Sequence, residues 1–489
     1  MANGWDHDIN LAMLTDFYEI TMSNAYYKEG MKDTVAVFDM FFRDVPERGG
    51  FAIMAGVEQL VEYLANLQFT DKDIEYLVQL DHFDPAFLSY LRDFRFECDV
   101  WAIPEGMPIF PGEPIVKVRG PIIQAQMVET MVLLTINHQS LIATKSSRIV
   151  RAAEGRGILE FGARRAQGSD ASILGARAAY IAGVAGTSCT VAGEIFKIPV
   201  LGTMAHSWVQ AFDTEYDAFK AYATVYPDDC QLLVDTYNTL KCGVPNAIRV
   251  SREVLEPRGY RLKAIRIDSG DLAYLSIRAR AMLDEAGLND CKITLSSAID
   301  EYLIQDLLRQ GARVDSFGVG ERLITSRAEP VFSGVYKLSG IEKDGVMEPR
   351  MKVSDNPEKV TNPGEKTLYR LYNRSTGLVE ADLITLIDEV IDDTKPLTIF
   401  DPLHTWKRKT LTDFRAVPIL EQIFEKGEYI GEKRHIEDIR AFCRAQLDTL
   451  WDSLKRFENP QEYYVDLSDT LWSLKERFLH SEMEEQESV

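Results

Sequence analysis

The stretch Ile198-Pro199-Val200-Leu201-Gly202-Thr203-Met204-Ala205-His206-Ser207-Trp208 gives the first indication of the fold. A short apolar run ends at a glycine, presents two hydroxyl groups and one imidazole, and leads into a predicted long helix that begins near Trp208. Turns from strand to helix are where α/β enzymes place reacting groups. His206 is one of seven histidines in 489 residues, and an imidazole can serve as a base, a metal ligand or a phosphoryl acceptor. On this stretch alone, a capping Ser207 beside a packed histidine is an equally good interpretation.

The same alternation of strand and helix continues from about residue 125 to residue 338. The predicted strands are short, apolar and followed by glycine or polar residues, and they cover residues 157–161, 199–202, 262–267, 292–295 and 314–318. Helical segments such as 208–226 and 272–285 lie between them. This alternation predicts a parallel sheet covered by helices, either closed into a barrel or open.

The regions on either side have a different character. Residues 34–42 are predicted to form a strand and residues 54–67 a helix, whereas residues 96–123 contain short β runs separated by Pro-Gly turns. Residues 340–366 are hydrophilic and broken by prolines, so we expect mostly loop. Residues 434–456 carry an apolar stripe at helical spacing, which predicts an amphipathic helix.

Composition limits the classes of function. The formal charge of −22 argues against nucleic acid or an anionic membrane as partner, so an anionic substrate needs a local basic pocket. The six cysteines show neither CxxC pairs nor metal-ligand spacing and are expected to be reduced thiols. The first residues lack a leader pattern, and no run of about 18 apolar residues is present. We therefore expect a cytoplasmic protein without a membrane anchor.

The first candidate site follows the strand at 157–161. Arg164 and Arg165 stand side by side in the segment 160–168. Arginine suits carboxylate and phosphate because its planar fork donates two hydrogen bonds and keeps its charge. For an isolated pair of arginines, surface salt bridges are the more common explanation.

Two further candidate sites follow later strands. In Arg266-Ile267-Asp268-Ser269-Gly270-Asp271, the carboxylates could accept hydrogen bonds from sugar hydroxyls or hold Mg²⁺ through water, although Asp271 also fits a helix N-cap. In Ser316-Phe317-Gly318-Val319-Gly320-Glu321-Arg322, the two glycines would let backbone N–H groups approach a phosphate. A lone GxG is a weak signal by itself.

Taken together, these motifs resemble the nicotinate phosphoribosyltransferase family over nearly the whole chain. The matching segments are Leu14-Thr15-Asp16-Phe17-Tyr18, residues 160–168, 202–207, 266–271 and 318–320, Gly334-Val335-Tyr336-Lys337-Leu338, and the run from Pro349-Arg350-Met351-Lys352 to Thr361-Asn362-Pro363-Gly364. Six or seven ordered motifs are far more specific than any one of them.

The resemblance implies a reaction in which nicotinate and 5-phosphoribosyl 1-pyrophosphate give nicotinate mononucleotide and pyrophosphate, assisted by ATP hydrolysis and Mg²⁺. It also implies an irregular, TIM-like α/β barrel beside a β-rich domain, and a homodimer with its active site near the subunit interface. The corresponding regions are residues 1–124 (N-terminal α+β with a small β module), 125–340 (barrel), 341–430 (loop and β-rich, returning to the N-terminal domain) and 431–489 (C-terminal helices).

The resemblance also assigns roles to individual residues. The expected nicotinate contacts are Tyr18, Phe161, Arg164, Arg165, Thr203 and Arg266. The expected ribose and phosphate contacts are Asp268, Ser269, Gly318, Gly320, Lys337, Lys352 and Thr361, with Mg²⁺ held through phosphates rather than by direct protein ligands. Without the resemblance, Tyr18 would be assigned to the core. His206 is expected to be phosphorylated by ATP, which would couple hydrolysis to synthesis.

Three alternatives and one departure remain. A nicotinamide phosphoribosyltransferase is expected to carry an acidic residue in the loop corresponding to residues 182–190, and this chain has none there. A quinolinate enzyme is disfavoured by chain length. A non-catalytic homologue would show eroded motifs, and these are intact. Glu321 departs from the pattern, because a carboxylate beside a phosphate is unfavourable unless it points away, is paired with Arg322 or meets Mg²⁺.

Overall fold

The computed structural model describes residues 10–354, 359–402 and 404–487. The chain divides into two compact units, the first made of Met1–Ser140 with Val331–Val489 and the second of Leu141–Pro330. These limits lie at residues 140 and 330, whereas the predicted α/β region extends from residue 125 to residue 340. Residues 1–9, on which the expectation of no leader rests, lie outside the described residues.

The strands alternate with helices in the second unit and follow one another directly in much of the first. In chain order they are β1 (Val35–Phe42), β2 (Ala52–Ile53), β3 (Asp99–Ala102), β4 (Pro108–Ile109), β5 (Val116–Pro121), β6 (Gly157–Glu160), β7 (Gly186–Thr187), β8 (Gln231–Leu233), β9 (Ala264–Ile267), β10 (Lys292–Ser296), β11 (Ser316–Val319), β12 (Gly334–Lys343), β13 (Val346–Pro349), β14 (Lys366–Asn373), β15 (Val379–Leu386), β16 (Leu397–Phe400), β17 (Arg408–Leu411), β18 (Phe414–Pro418), β19 (Glu421–Glu425), β20 (Glu428–Tyr429) and β21 (Val465–Leu467).

The helices are mostly short, and single turns of 3₁₀ or π geometry lie beside a few of them. In chain order they are α1 (Phe17–Lys28), α2 (Val57–Ala65), α3 (Asp71–Gln79), α4 (Pro85–Arg92), α5 (Ile122–Met127), α6 (Glu129–Ala152), α7 (Ser169–Ile181), α8 (Thr190–Phe196), α9 (His206–Gln210), α10 (Glu215–Val225), α11 (Val244–Val250), α12 (Leu272–Glu285), α13 (Glu301–Arg309), α14 (Glu321–Ile324), α15 (Ile436–Asp448) and α16 (Asp469–Glu487).

The second unit is built on a six-stranded sheet in the order β7-β6-β11-β10-β9-β8. All its pairings are parallel. Its strands are mostly apolar because both faces are covered, and their buried apolar side chains include Ile158, Leu232, Ile265, Ile267, Ile293, Leu295, Phe317 and Val319. The predicted α/β class is therefore confirmed. Within the described residues the sheet is open, with β7 and β8 at its edges.

The first unit is rich in antiparallel strands. A seven-stranded sheet has the order β13-β12-β1-β5-β3-β19-β20, and a four-stranded sheet has the order β18-β14-β15-β21. The strands of the larger sheet come from both ends of the chain, since β1 pairs with β5 on one side and with β12 on the other. A β-rich part assembled from the N-terminal region and a later segment, as expected, is thus present.

Four of the five strands predicted in the α/β region, now β6, β9, β10 and β11, are confirmed to within two residues. The fifth is reduced to a single parallel bridge between Val200 and Thr187. The predicted helix over 208–226 is wrong, because α9 ends at Gln210 and α10 begins afresh after Thr214. The hydroxyl of Thr214 accepts from the N–H of Asp217 and so caps the new helix.

The described part of residues 340–366 is mostly loop, as expected, because residues 350–354 and 359–365 lie outside the strands and α-helices. The exception is a hairpin that strands β12 and β13 form across Asp344 and Gly345, both of which have positive φ. An Asp-Gly pair between strands is a strong hairpin signal that the hydrophilic composition obscured. The C-terminal amphipathic helix is shorter than predicted, since α15 ends at Asp448, while Leu450 and Leu454 are buried beyond it.

Two general expectations can be compared with the fold. Across the described residues, no helix combines the length and apolar character needed to cross a bilayer. All six cysteines fall within the described residues and are free thiols.

Candidate active site

The predicted site residues of the second unit lie at the carboxyl ends of its parallel strands. Phe161 follows β6, Asp268 follows β9, and Gly320 follows β11. Since β6 pairs with β11, β11 with β10 and β10 with β9, these ends share one edge of the sheet. Open parallel sheets bind their ligands at this edge.

Arg266 is the centre of the hydrogen bonds at this edge. Its Nη2 donates to Oδ1 of Asp268 at 2.8 Å, its Nε donates to Oγ of Ser296 at 2.8 Å, and its Nη1 donates to Oγ1 of Thr203 at 3.2 Å. The guanidinium carbon lies 5.3 Å from the ring centroid of Phe161, within cation–π range. Arg266, Asp268, Thr203 and Phe161 are thus brought together as predicted from the resemblance.

His206 is the first residue of α9 and its side chain is 40% exposed. Its Nδ1 lies 3.1 Å from Oγ1 of Thr236, and its Nε2 lies 3.8 Å from Oδ2 of Asp268. The interpretation of Ser207 as a cap beside a packed histidine is wrong. Ala205 occupies the N-cap position without a side-chain hydrogen bond, and Ser207 lies inside the helix.

The ionised form of Asp268 is favoured at this edge. Burial would raise the pKa of the carboxyl, but the hydrogen bond from Ser296, the charge and hydrogen bond of Arg266, and the nearby imidazole of His206 together lower it. Asp268 therefore presents a negative charge between a fixed cation and an exposed imidazole.

Asp235 was missed by the sequence analysis. Its Oδ2 accepts from the backbone N–H of Asp268 at 2.9 Å and from the hydroxyl of Ser269 at 2.6 Å. Its Oδ1 is buried without a hydrogen-bond partner. The available signal was the apolar run of β8 followed by Asp235 and Thr236, the same pattern as after β9. A strand of only three residues was too short to be recognised by periodicity.

Asp271 performs the capping role that was considered for it. Its Oδ1 accepts from the backbone N–H of Tyr274 at 3.0 Å at the start of α12. The two carboxylates of this motif therefore have different roles, one structural and one in the candidate active site. Asp271 stabilises a helix end, and Asp268 faces Arg266 and His206.

The glycines of the third motif permit close packing. A Cβ placed on Gly318 would lie 2.6 Å from the ring of Phe161, so only glycine lets that ring lie against the strand. At the end of the neighbouring strand β10, Ser297 and Ala298 have φ values of 115° and 46°. Non-glycine residues in this region of φ are strained and concentrate at functional sites. No motif in the sequence marks this turn.

The charged residues around the third motif form several ion pairs. Pairing with Arg322 was one of three placements considered for Glu321, but its Oε1 lies 2.5 Å from Nη1 of Arg327 and its Oε2 lies 3.8 Å from Nη1 of Arg165. Arg322 instead pairs with Asp300 at 3.0 Å. The side chain of Arg165 is 66% exposed, and that of Arg164 is also exposed, so both are accessible to an anion.

The remaining predicted contacts belong to the first unit. Tyr18 is 44% exposed, so its assignment to the core is wrong. Burial and the charge of Glu129 raise the pKa of its hydroxyl, and Nζ of Lys337 lies 3.8 Å from Oε1 of Glu129. Lys337 and Thr361 line one cavity of about 310 Å³, and the backbone N–H of Lys352 donates to Oγ1 of Thr361 at 3.0 Å.

Comparison with known proteins identifies the family. Residues 13–137 match the model of the nicotinate phosphoribosyltransferase N-terminal domain, residues 157–375 match the nicotinate phosphoribosyltransferase family, and residues 365–475 match its C-terminal domain. Nicotinate phosphoribosyltransferase of Bacillus subtilis is 46% identical over 475 residues, which span 97% of this chain and 96% of that protein.

Comparison with solved structures supports the same family. The crystal structure of human nicotinic acid phosphoribosyltransferase superposes with a TM-score of 0.85 at 29% identity, covering 95% of this chain and 99% of the human chain. A nicotinate-nucleotide pyrophosphorylase from Pyrococcus furiosus shares the fold with a TM-score of 0.68 at 21% identity, covering 92% of this chain and 98% of that one. The chain therefore belongs to the nicotinate phosphoribosyltransferase family of enzymes.

Proposed function

We propose that the site around Arg266, at the carboxyl ends of the parallel strands, transfers the phosphoribosyl group of 5-phosphoribosyl 1-pyrophosphate to nicotinate, in the salvage of NAD. The observation that carries the proposal is the ion pair between Arg266 and Asp268, which lies beside the ring of Phe161 and the imidazole of His206. A fixed cation, an aromatic face and a carboxylate at one edge suit an aromatic anion and a ribose.

The chemistry needs positioning more than proton transfer. The pyridine nitrogen of nicotinate carries a lone pair and no proton, so it can attack C1 of the ribose directly. A bond forms between that nitrogen and C1 while the bond from C1 to the pyrophosphate oxygen breaks, and pyrophosphate leaves with the electron pair. The protein must hold the two reactants in line and stabilise the charge that develops on the leaving group.

The acceptor subsite, which would bind nicotinate, is assigned to the residues nearest Phe161. The phenyl ring would stack on the pyridine, and Arg266 and Thr203 would border it. Arg164 or Arg165, both exposed, would bind the carboxylate through a bidentate pair. The absence of an acidic side chain from residues 182–190 removes a group that would repel nicotinate.

The donor subsite, which would bind 5-phosphoribosyl 1-pyrophosphate, is assigned to the strand ends beside the acceptor subsite. Asp268 and Ser269 would accept or donate hydrogen bonds at the ribose hydroxyls. The turns at Gly318 to Gly320 and at Ser297 to Ala298 would offer backbone N–H groups to the 5′-phosphate. From the family resemblance, Lys337, Lys352 and Thr361 are assigned to pyrophosphate or ATP phosphates.

His206 is proposed to carry a phosphoryl group from ATP. The Asp268 carboxylate near Nε2 would favour a proton on that nitrogen, which leaves the lone pair on Nδ1 beside the Thr236 hydroxyl. Transfer of the γ-phosphoryl group would form a nitrogen–phosphorus bond at Nδ1 and release ADP. The added negative charge would reorder the neighbouring phosphate contacts.

Mg²⁺ would enter with the phosphates of its substrates. In the described part of the chain, no group of three or more His, Cys, Asp or Glu side chains surrounds a common metal position. The Oδ1 of Asp235 is buried without a partner, and it could accept a hydrogen bond from a water of the hydrated ion. The ion would neutralise charge on the phosphates.

We also propose a cytoplasmic homodimer whose active site is completed by Tyr18 of the partner subunit, and we assign the parallel sheet to part of an irregular barrel. The exposure of Phe17 and Tyr18 at the start of α1 supports the first of these assignments. Exposed aromatic side chains are enriched at protein interfaces.

The test is an assay with purified protein and phosphoribosyl pyrophosphate, in which nicotinate, nicotinamide and quinolinate are compared with and without ATP. We expect nicotinate mononucleotide as the main product, formed faster with ATP. Formation of nicotinamide mononucleotide at comparable kcat/KM would overturn the choice of substrate.

A further inference from the structure

Glu160 is a fully buried carboxylate at the end of β6, with 0% of its surface exposed. Its Oε1 accepts from the backbone N–H of Gly162 through a short hydrogen bond, and its Oε2 accepts from Oγ1 of Thr187 at 2.6 Å. The first contact reaches the turn that carries Phe161, and the second reaches the end of β7. One side chain therefore ties together two turns at the edge of the sheet.

Backbone hydrogen bonds place Glu160 at a junction of three strands. The N–H of Ser188 donates to the carbonyl oxygen of Glu160 at 2.8 Å, and the N–H of Phe161 donates to that of Val319 in β11 at 2.7 Å. Glu160 is directly paired with Thr187 on one side and with Val319 on the other. These backbone bonds hold β6 between β7 and β11, and the side chain of Glu160 adds the ties to Gly162 and Thr187.

The contacts of Glu160 are with neutral groups. In the described part of the chain, no lysine or arginine forms an ion pair with it, and burial raises the pKa of its carboxyl above the usual value, although the hydrogen bonds from Thr187 and Gly162 oppose that shift. A buried carboxylate without a cation is costly, so a neutral glutamine would be the less expensive choice for packing alone.

The facing donors explain why a carboxylate is used. Gly162 presents an N–H, and the hydroxyl of Thr187 donates to Glu160 while its oxygen accepts from the N–H of Cys189 at 2.9 Å. Both oxygens of Glu160 therefore act as acceptors. A glutamine offers one acceptor and one donor, so its NH₂ would either face the N–H of Gly162 or require the Thr187 hydroxyl to turn its proton away from the site it now fills.

The turn held by Glu160 has little freedom to adjust. A Cβ on Gly162 would lie 2.6 Å from the side chain of Ile324 and 2.7 Å from Oε1 of Glu160, and the ring of Phe161 packs directly on Gly318. A shift of the turn would therefore move the Phe161 ring relative to Arg266, whose guanidinium lies over it.

We propose that Glu160 is a positioning residue for the acceptor subsite, whose carboxylate locks the Phe161–Arg165 turn to the Thr187–Cys189 turn. This inference rests on the proposed function, since it takes Phe161 and the adjacent arginines as the contacts of nicotinate. The acceptor subsite depends on Glu160 more than the donor subsite does, because the donor contacts at Asp268 and Ser269 are held by Asp235.

The test compares Glu160→Gln and Thr187→Val with wild type, measuring KM for nicotinate, KM for phosphoribosyl pyrophosphate, kcat and melting temperature. We expect each variant to raise KM for nicotinate about tenfold, the size that corresponds to the loss of one buried hydrogen bond, while KM for phosphoribosyl pyrophosphate changes less than about twofold. If Glu160→Gln does not fold, the KM values of Thr187→Val alone test the proposal.

The matched control is Ser276→Ala in α12. Ser276 is a fully buried side chain whose hydroxyl donates to the carbonyl oxygen of Ala273 and accepts from the N–H of Arg313. Its loss should lower the melting temperature and leave both KM values unchanged. A folded Glu160→Gln or Thr187→Val variant with wild-type KM for nicotinate would overturn the inference. Absence of nicotinate turnover by wild type would overturn the proposed function and this inference together.

Discussion

The two units each contain an arginine–aspartate ion pair, and the pairs differ in what surrounds them. In the first unit, Arg370 and Asp382 are both 0% exposed, and Nη2 of Arg370 lies 2.6 Å from the carboxylate. In the second unit, Nη2 of Arg266 lies 2.8 Å from Asp268, and an exposed imidazole and an aromatic ring are adjacent.

The surroundings decide what each pair can do. Asp382 also accepts from the hydroxyl of Tyr463 at 2.9 Å, and Arg370 also donates to the carbonyl oxygen of Pro108 at 2.9 Å, so protein groups close this pair off from solvent. The pair at Arg266 faces the strand edge, where a ligand can approach. The same two residue types thus form a structural element in one place and a candidate active site in the other.

The largest effect is expected at the buried pair. Replacement of Arg370 by Met should lower the free energy of unfolding by about 3–5 kcal/mol, because Asp382 is left as an uncompensated buried charge. The measurement is urea denaturation at pH 7. The remaining folded enzyme should keep its kcat/KM, and a large loss of kcat/KM in folded protein would argue that this pair is not purely structural.

A smaller effect is expected at the candidate active site, on the coupling of ATP hydrolysis to synthesis. His206→Ala should abolish stimulation by ATP while some ATP-independent transfer remains, a loss of about 1–3 kcal/mol in coupling. Initial rates with and without ATP measure this directly. Unchanged stimulation by ATP in the variant would contradict the assignment of His206 as the phosphoryl carrier.

The pH dependence of stability distinguishes the two regions further. Burial first, and then the charge of Asp382, raise the pKa of Glu113 beside the buried pair. A raised folded-state pKa contributes stability that is full below about pH 4.5 and is lost as the pH rises toward that folded-state value. Glu113→Gln should therefore become progressively more stable than wild type, by about 1–2 kcal/mol, as the pH increases from 4.5. Denaturation curves at several pH values test this, and parallel curves for the two proteins would contradict it.

The smallest effect is expected at Ser296. Its hydroxyl accepts from Nε of Arg266 and donates to Oδ1 of Asp268 through a short hydrogen bond. Ser296→Ala should cost about 1 kcal/mol in kcat/KM and move the acidic limb of the pH–rate profile upward, since a donor that lowers the pKa of Asp268 is removed. A pH–rate profile identical to that of wild type would show that the Ser296 hydroxyl does not hold the pKa of Asp268 down.

Much of the second unit was predictable because buried parallel strands appear as apolar runs that end in polar residues. That pattern located Phe161, Arg266 and Gly318 on strand ends. It could not show that Ser296 lies beside Arg266, because this depends on the register in which Thr294 of β10 pairs with Arg266. It also missed Asp235, since β8 is too short to show a period.

The first unit was less predictable for a different reason. Its strands pair across long separations in sequence, as β1 does with β12, and the hydrophilic hairpin after residue 340 lacks the apolar alternation of a half-buried strand. The exposure of Tyr18 likewise depends on which side of α1 faces the core, and that helix has no clear apolar stripe.

The most direct test of the account is the kcat/KM for nicotinate of Arg266→Ala, measured together with its melting temperature. If the ion pair at the strand edge belongs to the active site, kcat/KM should fall about 100- to 1,000-fold while the melting temperature stays within about 4 °C of wild type. Retention of wild-type kcat/KM, or a loss explained entirely by unfolding, would contradict the account.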